Sequence, residues 1–502
     1  MSLSISSTSN NITIDATTNT ITFSAPGPAG TPGATGATGE TGSAFASGSP
    51  LVVQTEPMSP GERLAKQAVW WIDAAASGSS AAGATNLGWG GSALNAAQAV
   101  SANQPKWLEY TGTPYVWLPG VASNFLSVPD EAALDITGDI DIRVKVAPDD
   151  WTPAGNTTLA SKWGAAGQRT WQVYVGTTGF LNFVTSEDGT ASAIITNSSV
   201  ALGITDGTVK WVRVTRAQAA GEVKFYTSDD GSTWTQLGTT RTGLSTNAMF
   251  TGTSITEIGS VGTGTSQVGT FKFYRAIVKN GIDGTTVLDI DTSVIGTGSA
   301  TSFNALTGQT VSVNRSTTGR KAVAVVAPVW LFGTDDYLET ADNDLLDFGA
   351  TDSFTVVAGV RVWATQAGRE ILSKASGSGV GHTGYLIQSD ASTMRAVSID
   401  DGTARTAGVT PTVTAGAVSA VTGVRSVSGD TVTPYLNGVA GTPVTDTTTT
   451  TLANALPLRV GRTGGTGSTY SDMEGFAFLV FRRALSATEI TVLSDWLKGR
   501  GY

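Results

Sequence analysis

The chain has 502 residues, of which only 14% are charged, with no cysteine, one histidine and a formal net charge of −10. The acidic balance argues against a nucleic-acid partner, and the lack of cysteine excludes disulfides and the common cysteine–histidine zinc sites. No run of 18 apolar residues offers a membrane-spanning helix. Hydrophobic residues at 40% suffice for a buried core, and the length accommodates two to four domains. An average soluble protein is about 25% charged. Here Ser, Thr, Gly and Ala fill the gap, a profile of extended β-structure with many turns.

The opening MSLSISSTSNN lacks a basic region followed by an apolar run, so no secretory leader is expected. Weak alternation in Ile12–Asp15 and Asn19–Phe23 predicts two short strands joined by a turn near Ala16–Thr18. Then Gly27, Gly30, Gly33, Gly36, Gly39 and Gly42 recur at every third position, with Pro28 and Pro32 among them. Only glycine fits at the axis where three polyproline-type chains meet, so this period is the signature of a collagen-like triple helix. One chain cannot satisfy that geometry, and the expectation is a parallel homotrimer. A flexible Gly/Thr/Ala linker is the competing reading. A Ser/Gly/Pro-rich linker follows.

Pro60–Ala68 reads as a two-turn amphipathic helix leading into Val69–Asp73, a buried-strand pattern. Beyond it the sequence repeats. The stretch 116–146 realigns with 329–362, and three anchors keep step at a spacing of 212–213 residues: Trp117 with Trp330, Lys162 with Lys374, and Gly189 with Gly402. Ile72-Asp73 aligns with Ile290-Asp291. The unit is too long for a solenoid repeat, so a duplicated domain is expected, with its boundary near residue 285. Within each copy two-faced strands recur: Ile140, Ile142, Val144 and Val146; Trp171, Val173 and Val175; Phe354, Val356, Ala358, Val360 and Val362; Phe476, Phe478 and Val480. Such alternation belongs to antiparallel sheets packed as a sandwich. At the C-terminus Ser486 and Glu489 form a capping box and Leu485 with Ile490 a hydrophobic staple. Ile490, Leu493, Trp496 and Leu497 make the apolar stripe of that helix.

These features resemble the concanavalin A-like (laminin G-like) jelly-roll superfamily. The resemblance rests on WIDAA followed by LGWGGS at 87–92, on the strand phrase Tyr337–Trp363, and on FLVFRRALSATEI at 478–490. The expected fold is therefore all-β: two concanavalin A-like (laminin G-like) jelly-roll sandwiches preceded by a short β segment and a collagen-like triple helix. Residues 1–25 form the docking or trimerisation segment, 26–43 the collagen-like run, 44–64 a linker, 65–284 the first jelly roll and 285–502 the second. In combination, these parts are similar to minor tail proteins of phages that infect actinobacteria. The resemblance implies a tail-tip fibre on the virion, bound to other tail or baseplate proteins and touching host cell-surface glycans. No membrane insertion is expected.

Little catalytic material is present. His382, the single histidine, lies in the turn GSGVGHTGY. The glucanase string E-x-D-x-x-E is missing, and Glu339 and Asp342 have the wrong spacing for the paired carboxylates of a glycosidase. No enzymatic activity is expected; an envelope-polysaccharide depolymerase and a purely architectural decoration protein are the alternatives. Thr227–Trp234 fits the Asp-box of sialidases, which is a hairpin turn and no sign of activity. The resemblance brings calcium into question at domain rims, where Asp335-Asp336 and Asp400-Asp401 are loop carboxylate pairs; the competing reading is ordinary solvated turns. No other cofactor is expected. Sugar faces stack on exposed aromatic rings. Trp89, Trp151 and Trp163, flanked by Gly, Pro or Asp, are the candidate glycan-binding residues.

Overall fold

The computed structural model describes strands Ser4–Ser7, Asn10–Asp15 and Thr20–Ser24, and residues 58–500 except 318, 334, 364–367, 378–380, 391–392 and 466–469. The three N-terminal strands form an antiparallel meander, with Thr13 opposite both Ser4 and Thr22. The two expected strands are there, joined by a third. The glycine run from Gly27 to Gly42 lies outside the described residues.

Residues 61–502 form one compact unit, built from four antiparallel sheets that enclose two large cores. In the first sandwich, one sheet runs Thr235–Gln236, Glu222–Ser228, Lys210–Ala217, Ile140–Pro148, Thr270–Asn280, Tyr115–Pro119, Val323–Val325, and Thr285–Asp291 also pairs with Thr270–Asn280. The facing sheet runs Ile194–Asn197, Leu181–Thr185, Arg169–Val175, Thr157–Trp163, Thr256–Ile258, Phe125–Val128, Thr310–Asn314, Ser302–Asn304. Ile140, Ile142, Val144 and Val146 meet Trp171, Val173 and Val175 in the core between them, as their alternation predicts.

The second sandwich repeats this order and adds one short strand, Val444–Thr445, beside Thr431–Leu436. Its central strands Phe354–Val362 and Met473–Phe481 pair as Ile140–Pro148 and Thr270–Asn280 do, and each pair carries a register shift at the same place, at Gly359/Val360 and at Lys145/Val146. Phe354, Val356, Ala358, Val360 and Val362 line its core, joined by Phe478 and Val480. Phe476 departs from that set. It sits where the register shifts, and its ring turns outward to join Tyr115, Trp117 and Leu331 in the contact between the two sandwiches.

The division between the sandwiches differs from the expected cut at 285. Trp70–Asp73 pairs with Met473–Phe481, Ala96–Ala97 with Leu338–Thr340, and Lys106–Leu108 with Val329–Phe332. The strands of 285–325 pair instead with those of 115–280. The first sandwich is thus contiguous, 115–325, and the second is split, 61–108 plus 329–500. Side-chain fit explains the choice. Trp71 and Asp289 hold equivalent places on the outer faces of their sheets. Trp71 is buried beneath the C-terminal helix, edge-on to Trp496 at 5.7 Å, whereas Asp289 receives both arms of Arg275 at 2.8 and 2.7 Å. Exchanging them would put a carboxylate among the apolar side chains under the helix and take from Arg275 the carboxylate it bonds twice.

Both α-helices among the described residues cover the split sandwich. The helix Ala487–Arg500 starts with the expected capping box: the Ser486 N–H donates to the Glu489 carboxylate at 2.8 Å and the Glu489 N–H to the Ser486 hydroxyl at 3.4 Å. Ile490, Leu493 and Leu497 bury against Leu479 and Phe481, with Leu64 and Ala65 of the helix Pro60–Ala65 alongside. Between the sandwiches, outer-face residues Tyr115, Trp117, Val323 and Val325 meet Leu108, Val329, Leu331 and Phe476. The buried pair Arg361–Glu474 lies beside this contact, and Arg315 of the contiguous sandwich stacks on Trp363 at 4.5 Å.

Candidate ligand-binding surface

The structure separates the three candidate tryptophans. Trp89 is 55% exposed. Its loop is held flat against the strand below: the Trp89 N–H donates to the Ala68 carbonyl at 3.0 Å, and the Gly90 N–H to the Val69 carbonyl at 3.0 Å. A Cβ on Gly88 or Gly90 would lie 2.6 Å from one of those carbonyl oxygens, so both flanking residues have to be glycine. Asn86 ties the base of the loop by donating to the Val69 and Gly91 carbonyls and accepting from the Trp71 and Gly88 N–H groups. The result is a rigid mount for a solvated indole.

Trp163 is half-buried at the end of Thr157–Trp163, and the Arg169 guanidinium lies 5.6 Å from its ring centre. Trp151 does not fit the expectation. It is 1% exposed and lies in the core of the contiguous sandwich with Leu181 and Val175. The Asp206 carboxylate accepts the Trp151 N–H at 2.8 Å, which fixes the loop so that the ring points inward. Trp89 and Trp163 belong to different sandwiches, so no shared cleft gathers the three.

The loop carboxylate pairs are only partly engaged: Asp335 is exposed, and Asp336 Oδ1 and Asp400 Oδ2 are buried without a hydrogen-bond partner among the described residues. Asp336 is buried and takes hydrogen bonds from Arg320 at 2.8 Å and the Gly333 N–H at 2.7 Å; burial nevertheless raises its pKa. Asp401 accepts from the Ala404, Thr449 and Thr450 N–H groups, and despite its desolvation these bonds hold it below the usual carboxylate range. Asp400 is raised by burial. Among the described residues no cluster of three His, Cys, Asp or Glu side chains has the arrangement of a metal site. The turn Thr227–Trp234 is built as a hairpin, with one change of part. Asp230, not Asp229, accepts the Ser232 and Thr233 N–H groups at 2.8 and 2.7 Å, Gly231 has φ +76°, and Asp229 pairs with Lys210.

Three groupings escaped the sequence. Lys162 is fully buried and bonds Asp130 and Asp135; Lys374 is likewise buried and bonds Asp342 and Asp347. The repeat spacing already marked both lysines. On the uncovered face of the contiguous sandwich, Arg143 and Arg213 each grip the buried Asp141 with two bonds and also pair with Asp283. Trp234 lies over both guanidiniums, at 5.5 and 5.4 Å. No sequence signal joins residues so far apart. Finally, the His382 ring accepts or donates a 2.8 Å bond with the exposed Ser376 hydroxyl.

Residues 332–491 match the family described as the Concanavalin A-like lectin/glucanases superfamily, under the name Laminin_G_3. The split sandwich contains a laminin G-like jelly-roll domain. No curated protein matches the chain. Among solved structures, domains LG4-5 of the mouse laminin alpha1 chain share 11% identity at a TM-score of 0.28, over 76% of this chain and 96% of that one. A heptameric SAP-like pentraxin from Limulus polyphemus shares 14% identity at 0.26, over 36% and 81% of the two chains. The binding domain of Paraclostridial Mosquitocidal Protein 1 shares 13% at 0.28, over 34% and 43%. Trp89 precedes the matched residues in sequence, yet the strand that mounts it pairs with the last strand of the laminin G-like domain.

Proposed function

We propose that this protein is a non-enzymatic adhesin of a phage virion, a minor tail or tail-tip fibre that contacts host cell-surface glycans through the rims of its sandwiches. The observation that carries the reading is Trp89, a solvated indole on a loop immobilised by glycines and backbone bonds. An indole carried on an immobilised backbone offers its face to a pyranose C–H surface without the loop having to be ordered on binding. The lectin-type family of residues 332–491 supports the same reading. The triplet glycines from Gly27 to Gly42 support a homotrimer, and three weak sites on one fibre gain affinity through avidity. Exposure on the virion follows from this role.

The test is retention of the purified protein on host cell-wall polysaccharide. Wild type is expected to be held, and Trp89→Ala to be retained at least 10-fold less while keeping its thermal transition. Retention unaffected by Trp89→Ala would remove that loop from the proposal. Release of reducing ends would overturn the non-enzymatic reading in favour of a depolymerase, and no retention on any host glycan would favour an architectural role.

A further inference from the structure

We propose that the contiguous sandwich acts as a clasp: its folding places residues 61–108 where they complete the split sandwich of the same chain. The two sandwiches have exchanged equivalent four-strand arms. Ile72 lies opposite Phe478 as Ile290 lies opposite Ala276, Trp70 opposite Val480 as Leu288 lies opposite Val278, and Leu108 opposite Val329 as Val325 lies opposite Tyr115. The arm 285–325 follows its sandwich directly through the turn at 281–284. The arm 61–108 must instead reach a body that begins about 220 residues later in the chain.

What closes that gap is the contiguous sandwich itself. Its first strand pairs with its last, Tyr115 with Val325, so its two ends emerge side by side. From them the short links 109–114 and 326–328 deliver Leu108 and Val329 as cross-strand partners. The arm is then tied down by contacts far apart in sequence. Trp70 Nε1 donates to Thr340 Oγ1 at 3.0 Å, Trp330 Nε1 to the Ser80 carbonyl at 2.9 Å, and Arg500 pairs with Asp73 at 2.9 Å. Trp70 and Ile72 fill the core between the sheets of the body.

The coupling free energy is shared by both sandwiches, but only the split one has its pieces in distant parts of the chain. Every strand of the contiguous sandwich lies within 115–325, so the split sandwich can open without taking it apart. If the contiguous sandwich unfolds, the link between arm and body grows from a few residues to about 220. Loop-closure entropy alone then lowers the closing equilibrium of the split sandwich about 100-fold, and the contact through Trp117 and Tyr115 is lost as well. An arm set free in this way has the same sequence as that of any second copy, and exchange between chains becomes its alternative partner.

The experiment is hydrogen exchange by mass spectrometry on the full chain in mild denaturant, with one core truncation in each sandwich. Phe183→Ala removes a ring from the contiguous core and Met394→Ala a side chain from the split core, neither on a strand that pairs with the arm. Because opening the contiguous sandwich also frees the arm, 70–108 and 329–500 are expected to be protected no better than 115–325. Phe183→Ala is expected to lower protection of 115–325, and that of 70–108 and 329–500 with it once the two levels meet. Met394→Ala is expected to lower protection of 70–108 and 329–500 together. If either variant fails to fold, Phe183→Leu and Met394→Val take its place. Protection of 70–108 that stays above that of 115–325 in the Phe183 variant, or loosening of 329–500 without 70–108 in the Met394 variant, overturns the clasp.

Discussion

Lys374 carries its charge into a place with no solvent exposure. Its ammonium donates to Asp342 at 2.6 Å and to the carbonyls of Asn454 and Leu456 at 2.9 and 3.0 Å, and Asp347 lies at 3.0 Å. Asp342 is 39% and Asp347 17% exposed, so removing the ammonium chiefly leaves the two carbonyls without their donor, which costs about 1–3 kcal/mol. Lys374→Met is therefore expected to lower unfolding free energy by that amount in urea titrations, and replacing Asp342 and Asp347 by Asn in the same chain to recover part of it. No loss at all would mean that water takes the place of the ammonium at those carbonyls. The repeat made Lys162 and Lys374 visible in the sequence, because duplicated positions keep step whatever their role. Their burial was not visible, since their aspartate partners come from loops whose path depends on the finished sandwich. Trp151 shows the same limit. Its Asp and Pro neighbours describe a loop backbone correctly, but side-chain direction was decided by Asp206, 55 residues away.

Elements were more legible than their registers. The C-terminal helix is encoded locally, in a cap, a staple and a stripe that need no distant partner, and all of them are present. Its cap also titrates. The Arg483 guanidinium, with the Ser486 N–H and hydroxyl, lowers the Glu489 carboxyl from 4.5 to about 2. A carboxylate with a depressed pKa stabilises the folded state above its ordinary value and loses that contribution as pH falls toward the lowered one. The first turn of the helix is thus expected to fray between pH 4.5 and about 2, with Glu489→Ala, which has no acceptor for the Ser486 N–H, frayed already at pH 7 and flat across that window. Amide exchange at 487–491 reads the difference, and equal protection of the two chains at pH 7 would contradict it. Ser486→Ala should cost about 1 kcal/mol at neutral pH. Strands gave up their alternation but not their pairing. Trp117 and Trp330 align in sequence, yet Trp117 faces the contact between sandwiches and Trp330 faces a core. The true structural partner of Trp330 is Val116. With a side-chain period of two, a one-residue slip in an alignment reverses the face, and matching the two indoles invites that slip.

At the scale of the whole molecule the sequence shows two copies but not which arm belongs to which body, because a tandem repeat reads the same whether its arms are exchanged or not. The choice lies in Trp71 and Asp289, whose surroundings exist only after the helix and Arg275 are in place. Oligomeric state is a different kind of question. The unit 61–502 fills both of its own cores, and nothing in those cores calls for a second chain. The demand for partners comes from the six glycines between Gly27 and Gly42, where a side chain larger than hydrogen blocks the common axis. Assembly and sandwich folding should therefore separate cleanly. The full chain is expected to sediment at three times its monomer mass and a chain starting at Gly61 at one, with the same thermal transition for the sandwiches. Gly33→Ala in the full chain should shift the trimer toward monomer while leaving that transition in place. A trimer that survives removal of residues 1–60 would transfer assembly to the sandwiches, where Ile195 and Val439, both on strands at sheet edges and 69% and 65% exposed, would be the first places to look for the contact.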